Sequence, residues 1–510
     1  MSLTNEHLFI RDTKTMAKTV KRTLIAMSIA ICLSIANQSC LAQFGEVTAV
    51  PDEIKTGFDS ITSEYSQEVL QVLAGPAFEG RGTGQVGYTR AAHWMAGNLA
   101  ELGLDPIGDQ GTYFQMVPII RREPNLDDCR ITGPNGLSID GKGNVGFDRM
   151  TDVPELTGDL VVLNVSGPNP VLPEELILRD KIVMYITDDQ AARRIPRILA
   201  RKRPAASMRI VEGEPSSPSI VSFPGGRRRS TSISGTIIKS AAAQVLESME
   251  GQAEWLEIGD EAGVQIHELE KSLTMTVPVR ETQDGVPNVI GFLKGSDPEV
   301  NDEYIVIGAH LDHLGNRNGQ VYPGADDNGS GSTAILQIAR ALTLNPVKPR
   351  RSVLFIWFTG EEMGLQGSRY YVQNPLMDND KMIGMLNIDM VGRNEETNAE
   401  TAAENEGHLH LVGSEKGDSD LHDLVLKANQ HIGFEFEFDE EDVFGRSDQI
   451  NFYRQGVPVA FLFGGFHPDY HQPSDEVQEI NYNKIAQAAR LFYCCLFEVS
   501  EHGPFELKEE

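Results

Sequence analysis

Five segments in the second half of the chain set acidic and imidazole side chains beside small-residue turns. They are His310-Leu311-Asp312, Asp326-Asp327-Asn328-Gly329, Gly360-Glu361-Glu362, Ile388-Asp389 and His467-Pro468-Asp469-Tyr470-His471. Carboxylate and imidazole donors without thiolate are the set that suits Zn²⁺ or Mn²⁺, and they leave Fe–S clusters and Cu(I) unsupported. Taken singly, each position has an ordinary explanation. A histidine that ends a strand is usually a satisfied surface or core residue, and Glu361-Glu362 ahead of a helix complements its N-terminal dipole. The string Asp326-Asp327-Asn328-Gly329 has the composition of a simple turn. What sets the group apart is convergence, because the candidate ligands all fall at one end of the same expected sheet.

The elements that must place them are legible as hydrophobic runs. From residue 286 onward, apolar strands at 288–293, 304–309, 353–359, 383–388, 409–412 and 457–463 alternate with helices at 332–342, 365–372, 421–431 and 485–497. Runs such as Ser352-Val353-Leu354-Phe355-Ile356-Trp357-Phe358 are apolar on both faces, as central strands covered by helices must be. The pattern predicts an α/β fold, a three-layer sandwich with a mostly parallel central sheet, which binds ligands at the carboxyl ends of its strands. Ahead of it, helical periodicity around Val69, Leu70 and Leu73 leads into the loop Glu79-Gly80-Arg81-Gly82-Thr83-Gly84. A second helix follows through Ala91, Trp94, Met95 and Leu99 and stops at Gly103. Between 148 and 260, short β-like runs at 160–165, 181–186 and 208–211 are separated by Pro and Gly, which predicts a small inserted β-rich module. The acidic stretch 394–407, with Glu395, Glu396, Glu400, Glu404 and Glu406, is expected to be a mobile loop without an element.

Composition narrows the function. The chain has 510 residues, with Lys+Arg 44 against Asp+Glu 74 and a formal net charge of −30. A surface for the phosphate backbone needs clustered cations, so no nucleic-acid partner is expected. Local basic runs exist in the module, at Arg193-Arg194, Arg201-Lys202-Arg203 and Arg227-Arg228-Arg229, and read as a solvated face and an exposed loop. At the start, Lys14, Lys18, Lys21 and Arg22 precede an apolar run at 24–36 and the small-residue site Cys40-Leu41-Ala42. That is the layout of a secretory signal, and the run is shorter than the about 20 residues a membrane span needs. The expected organisation is therefore a signal at 1–42, an N-terminal part of the main domain at 43–147, the insert at 148–265 and the catalytic part at 266–510. The mature chain should be secreted or periplasmic and lack a membrane span. Three cysteines remain after cleavage, Cys129, Cys494 and Cys495, too few and too oddly spaced for a disulfide framework.

The succession Gly308-Ala309-His310-Leu311-Asp312, Pro323-Gly324-Ala325-Asp326-Asp327-Asn328-Gly329-Ser330-Gly331, Thr359-Gly360-Glu361-Glu362, Asn387-Ile388-Asp389-Met390 and Tyr470-His471 resembles the di-zinc aminopeptidases, the family of aminopeptidase Y, glutamate carboxypeptidase II and the transferrin receptor. The stretch Leu178-Arg179-Asp180-Lys181-Ile182-Val183 resembles the protease-associated (PA) insert of many members. The resemblance implies two Zn²⁺ per chain, with Mn²⁺ or Co²⁺ as substitutes. His310 and Asp389 would hold one, Glu362 and His471 the other, and Asp327 would bridge them. It also implies Glu361 as general base, Tyr470 as donor to the tetrahedral oxyanion, and Asp312 as the group that fixes the His310 tautomer. The implied function is a secreted zinc exopeptidase acting on peptides, foremost an aminopeptidase. The alternatives on the same scaffold are a carboxypeptidase, for which Arg446 is the nearby cation, a glutaminyl cyclase, and a receptor-like ectodomain, which would show lost ligands. In Gly445-Arg446-Ser447-Asp448-Gln449 many relatives have a histidine where this chain has Gln449, a change that bears on substrate contacts or on packing around Asp448.

Overall fold

The apolar runs of the second half assemble into one mixed sheet. The computed structural model describes residues 47–505 apart from 193, 216, 218, 226–231, 259–261, 318, 417, 418, 439 and 440. The signal segment, Arg193 and the Arg227-Arg228-Arg229 run lie outside the described residues. The chain divides into two compact units, one formed by the residues before Met116 together with Pro287 onward, the other by Met116–Val286.

The first unit contains helices α1 (Asp52–Ser60), α2 (Ser63–Leu73), α3 (Val86–Leu102), α4 (Gly331–Leu344), α5 (Gln366–Gln373), α6 (Ser419–Asn429), α7 (Gln449–Tyr453) and α8 (Tyr482–Glu501). Its strands are the start of β1 (Phe114–Pro124), the end of β2 (Val279–Leu293), the rest of both belonging to the other unit, and β3 (Tyr304–His310), β4 (Ser352–Phe358), β5 (Met382–Asp389), β6 (His408–Val412), β7 (Glu435–Glu437) and β8 (Val459–Phe463). β1 and β2 are the two strands by which the chain leaves this unit and returns to it. They lie side by side in the order β7-β6-β8-β5-β3-β4-β2-β1. The centre β8-β5-β3-β4 is parallel, whereas β2 on one side and β6 on the other run antiparallel to it. Strand ends are in register: His310 pairs with Phe358, and Asp389 with Phe463. The loops leaving β3, β4, β5 and β8 therefore start from one rim.

Both faces of the centre are buried, which explains runs with no polar alternation. Tyr304, Val306, Leu354, Ile356, Phe358 and Met385 pack with Tyr371 and Val372 of α5 and Phe452 of α7. The alternate residues Ile305, Ile307, Phe355 and Trp357 are equally buried on the other face, where the Trp357 Nε1–H donates to the Ser332 carbonyl of α4 at 3.1 Å. Each such side chain contributes about 1.5–3 kcal/mol relative to exposure. Local chemistry sets the helix ends. The Thr62 hydroxyl accepts from the Tyr65 N–H at the start of α2, and Gly103, at φ +75°, closes α3 in the left-handed conformation that glycine tolerates best.

The second unit has its own sheet and core. Glu155–Ser166, Ile182–Thr187, Ala206–Val211 and Ile233–Ile238 are parallel neighbours in that order, around Leu160, Val162, Met184, Met208 and Ile237. Its bounds are wider than the expected 148–265. Arg130–Thr132 and Ser138–Asp140 join the sheet through Gly263–Thr276, and Ile220–Ser222 pairs with the Ile120 to Arg122 part of β1. The flanking strands are half-exposed, so their hydrophobic pattern is weak and the boundary is hard to see in sequence. Cys129, Cys494 and Cys495 are buried free thiols. Among the described residues, no helix is long and apolar enough to cross a membrane.

The contact of α1 with α4 and α8 leaves no room at Gly57. Its N–H donates to the Asn345 Oδ1 at 3.0 Å, and an added Cβ would stand 2.1 Å from the Tyr493 Oη and 2.7 Å from the Ala341 carbonyl. Gly57→Ala is expected to lower stability by about 1–3 kcal/mol, read as a lower urea midpoint with an unchanged slope. A midpoint equal to wild type would show that this junction adapts.

Candidate metal centre and active site

β3 ends on His310, β5 ends on Asp389, the turn after β4 carries Glu361 and Glu362, the loop into α4 carries Asp327, and the loop after β8 carries His471. Their side chains meet. The His310 Nε2 lies 3.2 Å from the Asp389 Oδ1 and 3.4 Å from the Asp327 Oδ1. The His471 Nε2 lies 3.0 Å from the Asp327 Oδ2 and 3.3 Å from the Glu362 Oε2. One carboxylate thus presents one oxygen to the His310–Asp389 pair and the other to the Glu362–His471 pair. Asp326 faces away, accepting the Gly392 N–H at 2.6 Å and standing 3.2 Å from the His467 Nε2.

The surroundings fix these positions. Asp475 accepts the Asp326 N–H on both oxygens, at 2.9 and 3.1 Å, and the Asp327 N–H at 3.1 Å, so one side chain sets the turn that aims the bridging carboxylate. Arg81 is fully buried and donates to the Leu73, Leu311, Pro323 and Gly324 carbonyls, tying the loop after β3 to the loop before α4. The Ser447 hydroxyl donates to the Asp389 Oδ2 at 2.7 Å and in turn accepts from the Asn387 amide. The expected contact of the Asp312 carboxylate with the His310 ring is not made: it is the Asp312 backbone carbonyl that stands 2.9 Å from the His310 Nδ1. The Asp312 carboxylate turns instead to the Thr83 hydroxyl at 2.6 Å and the Glu361 N–H at 3.1 Å. Gln449 is a packing residue: its amide bridges Asn387 and the Phe444 carbonyl.

Electrostatics separate the two adjacent glutamates. Burial, reinforced by the charges of Asp389, Asp448 and Glu362, holds the Glu361 carboxyl well above the usual carboxylate range, although His310 opposes it. Burial also pushes Glu362 up, but the facing imidazoles of His313 and His471 outweigh it and hold that carboxyl well below the usual range. Burial keeps the Tyr470 phenol protonated far into the alkaline range. A cleft opens on Glu361, Tyr470, His310, Asp327, Asp389 and His471, walled by Met390, Val443, Phe461, Phe463 and Phe466.

The donor set fits divalent metal. Asp327, Glu362 and Asp389 are gathered within a few ångströms of two imidazoles, and the buried Glu362 Oε1 and His313 Nδ1 stand 2.8 Å apart without a hydrogen bond to either. Charges packed this way are costly unless a cation shares them. Carboxylate and imidazole without sulfur suit Zn²⁺ or Mn²⁺.

The same stretch matches Peptidase family M28 over 288–494. Leupeptin-inactivating enzyme 1 of Streptomyces exfoliatus is 32% identical over 193 residues, 38% of each chain. Leucine aminopeptidase 2 of Trichophyton rubrum is 31% identical over 227 residues, 39% of this chain and 41% of that one. The chain spans between 38% and 56% of the length of the curated relatives it matches. The solved zinc aminopeptidase BSAP of Bacillus subtilis shares the fold, with a TM-score of 0.51 at 19% identity over 91% of this chain and 99% of that one.

In the matched segment the structure brings together the residues singled out in the sequence, His310, Asp327, Glu361, Glu362, Asp389, Tyr470 and His471. It adds His313, whose Nδ1 is 3.6 Å from the Asp327 Oδ2 as well as beside Glu362. The His310-Leu311-Asp312-His313 spacing was the available sign of it, but His313 lies past the strand end and only the Gly82–His313 bridge and the His313 N–H to Arg81 carbonyl bond turn it inward.

Asp475→Ala leaves the Asp326 and Asp327 amides without their acceptor while touching no ligand. It is expected to weaken metal binding about 10- to 100-fold, the usual effect of removing a group that orients a ligand, with circular dichroism unchanged. Equilibrium dialysis against Zn²⁺ measures this, and wild-type affinity would remove Asp475 from the account.

Proposed function

We propose that the chain is an exported zinc-dependent aminopeptidase that removes bulky apolar residues from the amino terminus of peptides. The observation that carries this reading is the Asp327 carboxylate shared between His310–Asp389 and Glu362–His471, with Glu361 beside them in the cleft yet outside both pairs. Two cations held by these groups would supply Lewis acidity, polarising the scissile carbonyl and acidifying water. Glu361 takes the proton of the attacking water and returns it to the leaving amine. Tyr470, a protonated phenol on the cleft wall, donates to the oxyanion of the tetrahedral intermediate.

The wall formed by Met390, Val443, Phe461, Phe463 and Phe466 carries no charge, which supports a large apolar first residue. Arg446, the cation a carboxypeptidase would use as a clamp, is engaged: its guanidinium lies over the Phe466 ring at 5.0 Å and its Nη2 is 3.4 Å from the Tyr470 Oη. That favours the aminopeptidase reading. We assign Met116–Val286 as the protease-associated insert, on its separate core and the Leu178-Arg179-Asp180-Lys181-Ile182-Val183 resemblance. Residues 1–42 we assign as the secretory signal, on their basic-then-apolar order.

Elemental analysis of the mature protein, paired with a panel of amino-acid arylamides, tests this. Wild type and Glu361→Gln should each hold about two metals per chain, and the variant should lose about 10²- to 10⁴-fold in kcat. Metal without arylamide cleavage by wild type would sink the aminopeptidase reading, and a folded chain without metal would sink the peptidase reading altogether.

Two further outcomes belong to the same panel. Tyr470→Phe should lower kcat by about 10²- to 10³-fold with metal retained. Leucyl and phenylalanyl arylamides should exceed alanyl in kcat/KM by about 10- to 200-fold, and a preference for lysyl or glutamyl substrates would contradict the assignment of the wall.

A further inference from the structure

Outside the metal centre, the outer strand pair carries a second constellation of imidazoles and carboxylates. β6 and β7 are parallel, with His408 opposite Glu435 and His410 opposite Glu437, so all four side chains project from one face. The His408 Nε2 lies 3.5 Å from Glu435 and its Nδ1 2.6 Å from the Glu437 Oε1. The His410 Nδ1 lies 3.6 Å from the Glu437 Oε2 and its Nε2 3.2 Å from the Glu395 Oε2. Carboxylate and imidazole thus alternate from the exposed Glu435 to Glu395, which is only 7% exposed. Each ring nitrogen faces a carboxylate oxygen, with Glu437 serving the Nδ1 of both rings.

Glu395 is where this chain meets the cleft wall. The backbone at Gly465, φ +92°, lies so close to the Glu395 stem that a Cβ there would be 2.4 Å from the Glu395 Cβ. The Glu396 N–H donates to the Phe466 carbonyl at 2.9 Å, Arg393 pairs with Asp469 at 3.0 Å, and the Gly464 N–H donates to the Met390 carbonyl at 2.9 Å. The wall segment 464–470 is thereby pinned along 390–396. A second line of contact is aromatic. The His410 ring lies 5.6 Å from Phe463, Phe463 lies 5.1 Å from Phe466, Phe466 lies 5.1 Å from Tyr470, and Tyr470 stacks on His471 at 3.9 Å.

We propose that His410 is a positioning residue that sets the substrate selectivity of the cleft: by holding Glu395 it keeps Phe463 and Phe466 packed as the apolar wall. The proposal rests on the aminopeptidase reading for its substrate and on these contacts for its mechanism. Without the imidazole, the buried Glu395 carboxylate faces Glu437 with no donor between them. It must turn toward water, and 395–396 leaves Phe466 with it. The buried Lys484 ammonium, held down to about 8 by burial against the attraction of Asp326, Glu395 and Glu437, does not replace the lost bond, since its Nζ makes no hydrogen bond.

The test compares wild type, His410→Leu and His410→Gln in the full mature chain. The measured quantity is the ratio of kcat/KM for leucyl over alanyl arylamide, which does not depend on the fraction of folded molecules. His410→Leu should lower that ratio about 10-fold, mainly through KM for the leucyl substrate, with metal content as in wild type. His410→Gln, which restores an N–H near the Nε2 position, should recover most of it. An unchanged ratio, an equal loss on both substrates, or the loss of one metal equivalent would overturn the proposal, the last by making His410 a ligand. Should His410→Leu fail to fold, Glu437→Gln breaks the next link and is expected to shift the ratio in the same direction. Hydrogen exchange of the 464–470 amides, faster in His410→Leu, reads the same coupling without substrate. If wild type cleaves neither arylamide, the aminopeptidase reading falls, while unchanged exchange would sink the positioning role independently.

Discussion

The structure depends on holding like charges together away from water. Asp312, Asp327, Glu361, Glu362, Asp389, Asp448 and Asp475 converge on one rim of the sheet, and most are nearly or wholly buried. Carboxylates so placed repel one another and lose their hydration, and the fold relieves this in steps. Burial pushes Asp312 and Asp475 up to about 6 and Asp448 to about 7, so part of the charge is removed by protons. Backbone amides neutralise more of it, those of Asp326 and Asp327 at Asp475 and that of Glu361 at Asp312. Arg81 adds a positive charge in their midst, close enough to be attracted by Asp475, Asp327 and Asp312, while its donors go to carbonyls rather than to any one carboxylate. It therefore spreads its field over the cluster and leaves the ligand oxygens free.

That arrangement explains why the sheet has a parallel centre. Parallel neighbours must be joined by crossovers, so the carboxyl ends of β3, β4, β5 and β8 open on the same side however far apart they lie in sequence. Register does the rest: with His310 level with Phe358 and Asp389 level with Phe463, the first residues beyond each strand are already within side-chain reach. The helices α4, α5 and α7 cover the faces and leave the rim open.

The residues gathered at the candidate centre were legible in the sequence because they sit at strand ends, where a hydrophobic run stops on an acid or an imidazole, and because their order resembles a known family. Residues that act through others were not. Nothing in the local pattern says that Arg81 reaches the Leu311 and Gly324 carbonyls more than 200 positions on, or that Asp475 caps the Asp326-Asp327 turn, because those roles exist only after folding. His313 failed to stand out for a related reason, since it follows the strand instead of ending it. The stretch 394–407 contains no helix or strand, as its composition predicts, yet Glu395 and Asn405 are buried within it, where an acidic run alone suggests solvent. The bounds of the inserted unit were misplaced because Ser138–Asp140 and most of Gly263–Thr276 are half-exposed strands, and half-exposed strands resemble loops in a hydrophobicity pattern.

Adjacent residues of one type doing opposite work show how far backbone geometry, rather than side-chain identity, decides function here. Asp326 and Asp327 have the same carboxylate, but the first is drawn inward by the Gly392 N–H and His467, and the second is turned to the ligand cluster. Glu361 and Glu362 divide in the same way, one directed to the cleft with its carboxyl pushed up by burial, the other held down by the two imidazoles that face it. The loop after β8 goes further, because Phe466, Asp469, Tyr470 and His471 place a cleft-wall ring, the ion-pair partner of Arg393, a phenol lining the cleft and a member of the imidazole–carboxylate cluster within six positions. Selectivity and chemistry on this loop cannot be tuned separately by moving its backbone. Independent adjustment has to come from outside it, and the carboxylate–imidazole chain through His410 and Glu395 is an outside support that touches the wall and not the ligands.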